Sequence, residues 1–233
     1  MKALFDEAEV RKTLARIIKH GAVFEVRPLD AKLSTHHRAG TVSGYFNNPD
    51  SCISELGKLT NAKGIYVTLN PVNPALLAGR ANRLDYVERN ATTNDQHILQ
   101  RRGLLLDVDF DRPSGISASD SEKEAAHKKA IEISGYLKAG GWPFPIVADS
   151  GNGYHLVYHV NLPSDDEKLL EQVLAALADR FDDDGVKIDK SVFNPARIVR
   201  LYGTLAAKGD NTEERPHRLS KILKTPLRVV VTT

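Results

Sequence analysis

Residues 104–110 read LLLDVDF, and no other stretch of the chain so narrows what it can fold into. Strand side chains alternate between faces, so Leu106, Val108 and Phe110 share one face while Asp107 and Asp109 share the other. The run must therefore be a strand with one packed face and one open, acidic face. Two ionised carboxylates side by side repel, which costs stability unless a cation offsets them. Replacing both is accordingly expected to leave the fold intact or slightly more stable. Divalent magnesium or manganese suits such a pair, because both ions take oxygen ligands and keep positions open for phosphate oxygens. A lone D-x-D also reads as a strand end with solvated acids, so the surrounding sequence has to decide. Asp111 continues the alternation but sits against Arg112 and Pro113 at the strand end, and is read as a supporting or surface residue.

The strand heads an ordered series. Pro113 and Gly115 break it, and Ser119 with Glu122 forms a capping-box pattern that opens a long helix to about residue 138. Strands are predicted over residues 145–149 and 154–160, flanking the turn SGNG. Ser164 is expected to cap a helix running to about residue 181, and residues 198–202 form a further strand. Residues 104–202 thus run β-α-β-β-α-β, the split βαβ order, with antiparallel and parallel neighbours in one sheet and both helices on one face.

Upstream, residues 1–20 form an amphipathic helix with Val10, Leu14, Ile17 and Ile18 on one stripe. Strands are predicted over 22–29, 40–46 and 64–70. Asp50 is the expected N-cap of a helix to about residue 59, and Pro74 opens a short one to about residue 80. Residues 82–100 are polar and read as an irregular connection. The fold class is α+β: a split βαβ, RRM-like catalytic sheet packed against a smaller N-terminal α/β unit. Residues 1–233 form a single domain, with an N-terminal lobe over 1–100 and the RRM-like lobe over 101–220.

Three further patterns carry chemistry. Asp189 follows Val186 and Ile188, a short strand delivering one acid. In the turn, Gly151 and Gly153 permit positive φ and close approach, and successive N–H groups of Ser150, Gly151, Asn152 and Gly153 make an anion-binding nest. The Ser150 hydroxyl would add a donor, and His155 begins the next strand at the same mouth. An ordinary hairpin with a surface histidine fits the same letters; His159 reads as structural. Arg197, Arg200 and Lys208 follow, with Arg200 inside an apolar strand where its charge needs a partner. That partner is a triphosphate, the acids, or a salt bridge on the opposite face. Arg215, His217 and Arg218 form a basic cluster suited to template phosphates, or equally a solvated edge.

Bulk properties exclude more than they choose. The 233 residues are 41% hydrophobic and 27% charged, with a net charge of +2, ordinary for a soluble enzyme. Cys52 is the only cysteine, so no intrachain disulfide or multi-cysteine zinc site can form. No apolar run approaches the roughly 20 residues of a membrane span, and the charged start is no signal peptide, so a cytoplasmic location without membrane contact is expected.

Taken together, the order resembles the catalytic core of the archaeo-eukaryotic primase (AEP) superfamily, particularly primase–polymerases of phages, plasmids and prophages. The resemblance rests on Asp107 and Asp109, SGNGYH ending at His155, and Asp189 followed by RIVRLYG with Arg200. It spans residues 107–208, with a weaker likeness in GIYVTLNPVNP. It implies two magnesium or manganese ions on Asp107, Asp109 and Asp189. It implies an incoming nucleoside triphosphate held by Ser150, His155, Arg200 and Lys208, with Arg197 a further candidate. Many relatives carry serine where Gly153 stands, so the loop is expected to bind phosphate more through backbone N–H groups. Single-stranded DNA is the implied template. A helicase, fused or separate, is a further implied partner, since the chain has no G-x-x-x-x-G-K-[ST] loop. The implied reaction is template-directed nucleotidyl transfer. The rivals are a metal-dependent nuclease or replication-initiation nickase, and an inactive RRM-like module; the open acidic face argues against the latter.

Overall fold

The computed structural model describes residues 4–88, 91–166 and 168–226. Residues 1–3 of the expected first helix, 89–90 of the expected connection and 167 of the expected last helix lie outside them.

Six strands arise in the first half: β1 (Phe24–Leu29), β2 (Lys32–Leu33), β3 (Val42–Phe46), β4 (Leu59–Asn61), β5 (Gly64–Thr68) and β6 (Asp85–Tyr86). The second half supplies β7 (Gln100–Phe110), β8 (Ile146–Asp149), β9 (Tyr154–Pro163), β10 (Val186–Ile188), β11 (Ile198–Arg200), β12 (Leu205–Ala206), β13 (Arg218–Leu219) and β14 (Lys221–Lys224). They form two five-stranded sheets, β11-β5-β1-β3-β6 and β10-β7-β9-β8-β14, and two short ribbons, β2-β4 and β12-β13.

The second sheet has the order expected of a split βαβ unit, but every neighbour is antiparallel. Among the described residues this sheet therefore lacks the expected parallel neighbours. Its fourth strand is β10, which leads into Asp189, and not the run bearing Arg200. That run is β11, an edge strand of the first sheet, paired with β5 through Arg200↔Tyr66 and Val199↔Val67. The chain consequently does not divide in sequence where its sheets divide. One hydrophobic core joins both, from Phe24, Val26 and Val67 to Leu104, Leu106 and Val108.

Local chemistry explains the helices. α1 (Glu7–Ile17) starts at Asp6, whose carboxylate accepts from the Glu9 N–H, and buries Val10, Thr13 and Leu14. α2 (Pro49–Leu56) is capped by Asn48 instead of Asp50. Proline at the first helical position donates no N–H, so the Asn48 side chain takes those of Asp50 and Ser51. α3 (Asp120–Ala139) has the Ser119–Glu122 capping box and buries Ala126, Ala130, Ile133 and Leu137 against the second sheet. α4 (Leu169–Phe181) begins five residues beyond Ser164. Asp166 takes the capping role, accepting from the Leu170 N–H at 3.1 Å while pairing with buried Arg101 at 3.0 Å. That pair, with Arg101 also donating to the carbonyls of Ser164 and Phe193, ties the start of α4 to β7. α3 and α4 touch each other and cover one face, leaving the Asp107 face toward the first sheet.

Candidate active site

Cross-strand register assembles the acidic row. Asp107 on β7 stands opposite His155 on β9, and Asp109 stands opposite Lys187 on β10. Asp189 follows β10 directly, and its N–H donates to the Asp107 carbonyl at 2.9 Å. All three acids line a cavity of about 210 Å³ between the sheets, together with His155, Arg200 and Lys208. A neighbouring cavity of about 270 Å³ shares the three acids and Lys208 and extends past Arg112 and Ile116.

Each acid has its own protein partner. Asp107 lies 3.3 Å from His155 Nε2. Burial pushes its carboxyl up, but His155, Lys208 and Arg200 outweigh that and hold it below the usual carboxylate range. Asp109 receives a bidentate fork from Arg112, at 2.5 and 2.9 Å, and the Phe110 N–H at 2.9 Å. Asp189 accepts from the Ser191 N–H at 2.8 Å and so caps the short 3₁₀ turn Lys190–Phe193. The expectation of a fold left intact or slightly more stable on removing the acids counted only their repulsion and not these partners. The acids are compensated by fixed donors, and removing them would strand those donors.

The donor set tests its fit to a divalent cation. Three carboxylates facing shared cavities match magnesium or manganese in ligand type and in room for phosphate oxygens. Among the described residues, however, no three His, Cys, Asp or Glu side chains already converge as a metal-ion site. The residues fit the ions in ligand type, and the three carboxylates share the cavity without converging on one point.

His155 is buried, and its Nδ1 lies 2.8 Å from the Tyr202 hydroxyl. An ionised Asp107 can only accept, so the proton of a neutral imidazole sits on Nε2. Burial raises Tyr202 well above its ordinary value, with the Asp107 charge adding to the effect, so its hydroxyl stays protonated and donates to Nδ1. The Nε2–H is thus directed at Asp107, and both side chains line the cavity.

Arg200 is buried and lies over the Tyr66 ring at 4.5 Å, donating once to the Tyr66 hydroxyl at 3.1 Å. Among the described residues its Nε and Nη1 have no hydrogen-bond partner. Buried donors are rarely left so, and Arg200 is also one of the residues lining the cavity.

The sequence matches no protein-family profile and no characterised protein. Among solved structures, the AEP domain of the cyanophage S-2L primase–polymerase (PrimPol) is similar over 98% of this chain and 95% of that one, at 12% identity and a TM-score of 0.52. The fold is that of an AEP domain. Looser likenesses are a structure of primase RepB′ (13% identity, 94% of this chain and 56% of that one, TM-score 0.47) and the catalytic domain of primase RepB′ in complex with initiator DNA (12%, 93% and 85%, TM-score 0.44).

Within this AEP fold the SGNG turn is built differently from the expected nest. Ser150 N–H donates to the Gly153 carbonyl, Gly151 N–H to Asp149, and Gly153 N–H to the Ser150 hydroxyl. Three amides are thus engaged inside the loop, and the Ser150 hydroxyl itself donates to the Gly153 carbonyl at 3.1 Å. Gly153 is required for another reason: a Cβ there would lie 2.5 Å from the Val108 carbonyl and 2.9 Å from Asp109. The loop therefore packs tightly on the acidic strand. Ser150 and Asn152 line the inter-sheet cavity, while the Asn152 side-chain oxygen accepts from the Ala118 N–H at 2.9 Å.

Arg197 also lines that cavity with an unpartnered Nε, its guanidinium held by the Ser191 carbonyl. The basic cluster has other employment. Arg215 forks onto Glu122 at 2.8 Å, Arg218 donates to Asp120 and the Ala118 carbonyl at 2.6 Å, and His217 Nε2 meets the Gly209 carbonyl at 2.9 Å. Instead of standing free for template phosphates, the two arginines clasp the first turn of α3, where the cluster meets the capping-box acid.

Three residues escaped the sequence reading: Arg112, Tyr66 and Tyr202. Arg112 carried a legible signal, lying three residues after Asp109. Tyr66 and Tyr202 had none, because their roles depend on β5 and β11 meeting the second sheet.

Proposed function

We propose that the chain is a template-directed nucleotidyl transferase, a DNA primase–polymerase acting on single-stranded DNA. The observation that carries this is the pairing of opposites in one cavity: Asp107, Asp109 and Asp189, with His155 beside them on the sheet, share it with Lys208 and buried Arg200, two of whose N–H groups are unpartnered among the described residues. A divalent-metal triphosphate has the complementary charge pattern.

In this reading Asp107, Asp109 and Asp189 hold two magnesium or manganese ions. When bound, such ions lower the pKa of an attacking 3′-hydroxyl and stabilise the charge on departing pyrophosphate. The remaining work is positioning and charge stabilisation by the chain itself. Arg200 and Lys208 bind phosphate oxygens, Arg197 adds a guanidinium at the rim, and His155 donates its Nε2–H. Ser150 and Asn152 shape the wall where the turn meets β7. A separate or fused helicase would supply unwound template. No helix among the described residues is long and apolar enough to cross a membrane.

The test is calorimetry with a nucleoside triphosphate and manganese, without DNA, followed by incubation with single-stranded DNA and labelled nucleotides without primer. Stoichiometric, chelator-sensitive binding and new labelled strands are expected. Absence of triphosphate binding, with metal-dependent cutting of single-stranded DNA, would replace the polymerase with a nuclease.

A further inference from the structure

Asp109 is the most strongly engaged acid of the row. Arg112 grips both of its oxygens, and Oδ1 takes the Phe110 N–H as well. The Arg112 side chain is only 6% exposed, against 33% for Asp109. It is also held without Asp109: Nε donates to the Ile116 carbonyl at 3.3 Å and Nη1 to the Phe110 carbonyl at 3.1 Å. Those carbonyls keep the guanidinium in place when the carboxylate turns away. Asp107 is held more loosely, by one histidine contact at 3.3 Å. Lys187, opposite Asp109 in register, makes no ion pair with it among the described residues.

The geometry points to Arg112 as a resident counter-cation of Asp109, displaced when a divalent cation loads. Resting on the reading of Asp109 as a metal ligand, this makes loading an exchange of one cation for another. Arg112 and a divalent ion cannot both hold Asp109 fully, because the fork occupies both oxygens and like charges would meet there. Arg112 belongs to the segment 111–116 that walls the larger cavity, where Gly115 has φ +85° with open space beside it. The fork is therefore what gives way: Asp109 turns to the ion while Arg112 stays on the Ile116 and Phe110 carbonyls. The exchange also keeps the empty site from holding uncompensated charge, and sets the divalent affinity lower than three carboxylates alone would give.

The test is manganese calorimetry without nucleotide on the full chain, comparing wild type, Arg112→Gln, Arg112→Lys, Asp109→Asn and the Arg112→Gln/Asp109→Asn double variant. Arg112→Gln is expected to bind manganese about tenfold more tightly or better, the scale of one charge-assisted hydrogen bond. Arg112→Lys should fall between, since an ammonium keeps the charge but not the fork. The gain should vanish in the double variant. Manganese should also raise the melting temperature of Arg112→Gln more than that of wild type. Should Arg112→Gln fail to fold, the lysine variant decides alone: tighter binding than wild type supports the exchange, and equal or weaker binding overturns it. Unchanged affinity in Arg112→Gln, with wild type binding manganese, overturns the exchange and leaves the metal reading standing. A gain that persists in the double variant places the action of Arg112 elsewhere and overturns it too. No manganese binding by any variant at millimolar concentration removes the metal reading and the exchange together.

Discussion

Replacing Asp107 and Asp109 together by alanine should abolish nucleotide incorporation and also destabilise the fold, because their cationic partners remain behind. Arg112 would lose both charge-assisted bonds of its fork while staying largely buried. Breaking a buried pair costs about 3–5 kcal/mol. One third of the Asp109 side chain is exposed, so solvent screening reduces this to about 2–3 kcal/mol. Loss of the longer His155 contact adds about 1 kcal/mol. Relief of repulsion opposes these losses. Side chains two apart on a strand sit about 7 Å from each other, worth roughly 1–2 kcal/mol at a partly solvated surface. The net is a loss of about 2 kcal/mol. Urea unfolding at neutral pH with chelator present should show it as a midpoint about 0.7 M lower, for a slope near 3 kcal/mol per M. A midpoint equal to or above wild type would refute the reasoning, for repulsion would then outweigh the ion pair. Asp109→Ala alone should give about half of the shift, because it loses the fork and relieves the repulsion but leaves the His155 contact in place.

Arg200→Ala should weaken triphosphate binding about tenfold to a hundredfold, the worth of one charge-assisted bond, with a smaller effect on DNA binding. Loss of DNA affinity with unchanged nucleotide titration would make Arg200 a template contact. Tyr202→Phe should leave the His155 proton on Nε2, where Asp107 holds it, but strip Nδ1 of its donor and weaken triphosphate binding severalfold; unchanged binding would remove Tyr202 from the site. Glu25→Gln tests the first sheet. Burial pushes the Glu25 carboxyl up, but Arg27, Ser43 and the Thr93 N–H outweigh that and hold it below its ordinary 4.5. A lowered folded pKa stabilises above the unfolded value and is lost as pH falls through the folded one. Wild-type urea midpoints should thus drop below about pH 4.5 while those of Glu25→Gln change less; parallel profiles would count against it.

What the sequence determined by itself is local or periodic. Alternation fixes the faces of β7, so the acids had to share an open side. The Ser119–Glu122 box starts α3 because both partners lie within one turn. Two glycines between apolar runs make the hairpin that delivers His155. Tertiary structure decided whatever depends on partners distant in sequence. Three apolar-flanked residues, Ile198–Arg200, pair with an edge of either sheet equally well on pattern alone, and only packing assigned them to β5. That assignment carries Arg200 across from Asp107 and creates the cavity. The same holds for charge. The clasp of Arg215 on Glu122 spans 93 residues and that of Arg218 on Asp120 spans 98, so a run that looks free in sequence is engaged in space. Ser164 was the expected cap for α4, and Asp166 took the role instead because buried Arg101 needed its charge. Local chemistry chooses the elements; burial, which no short window of sequence contains, chooses their partners.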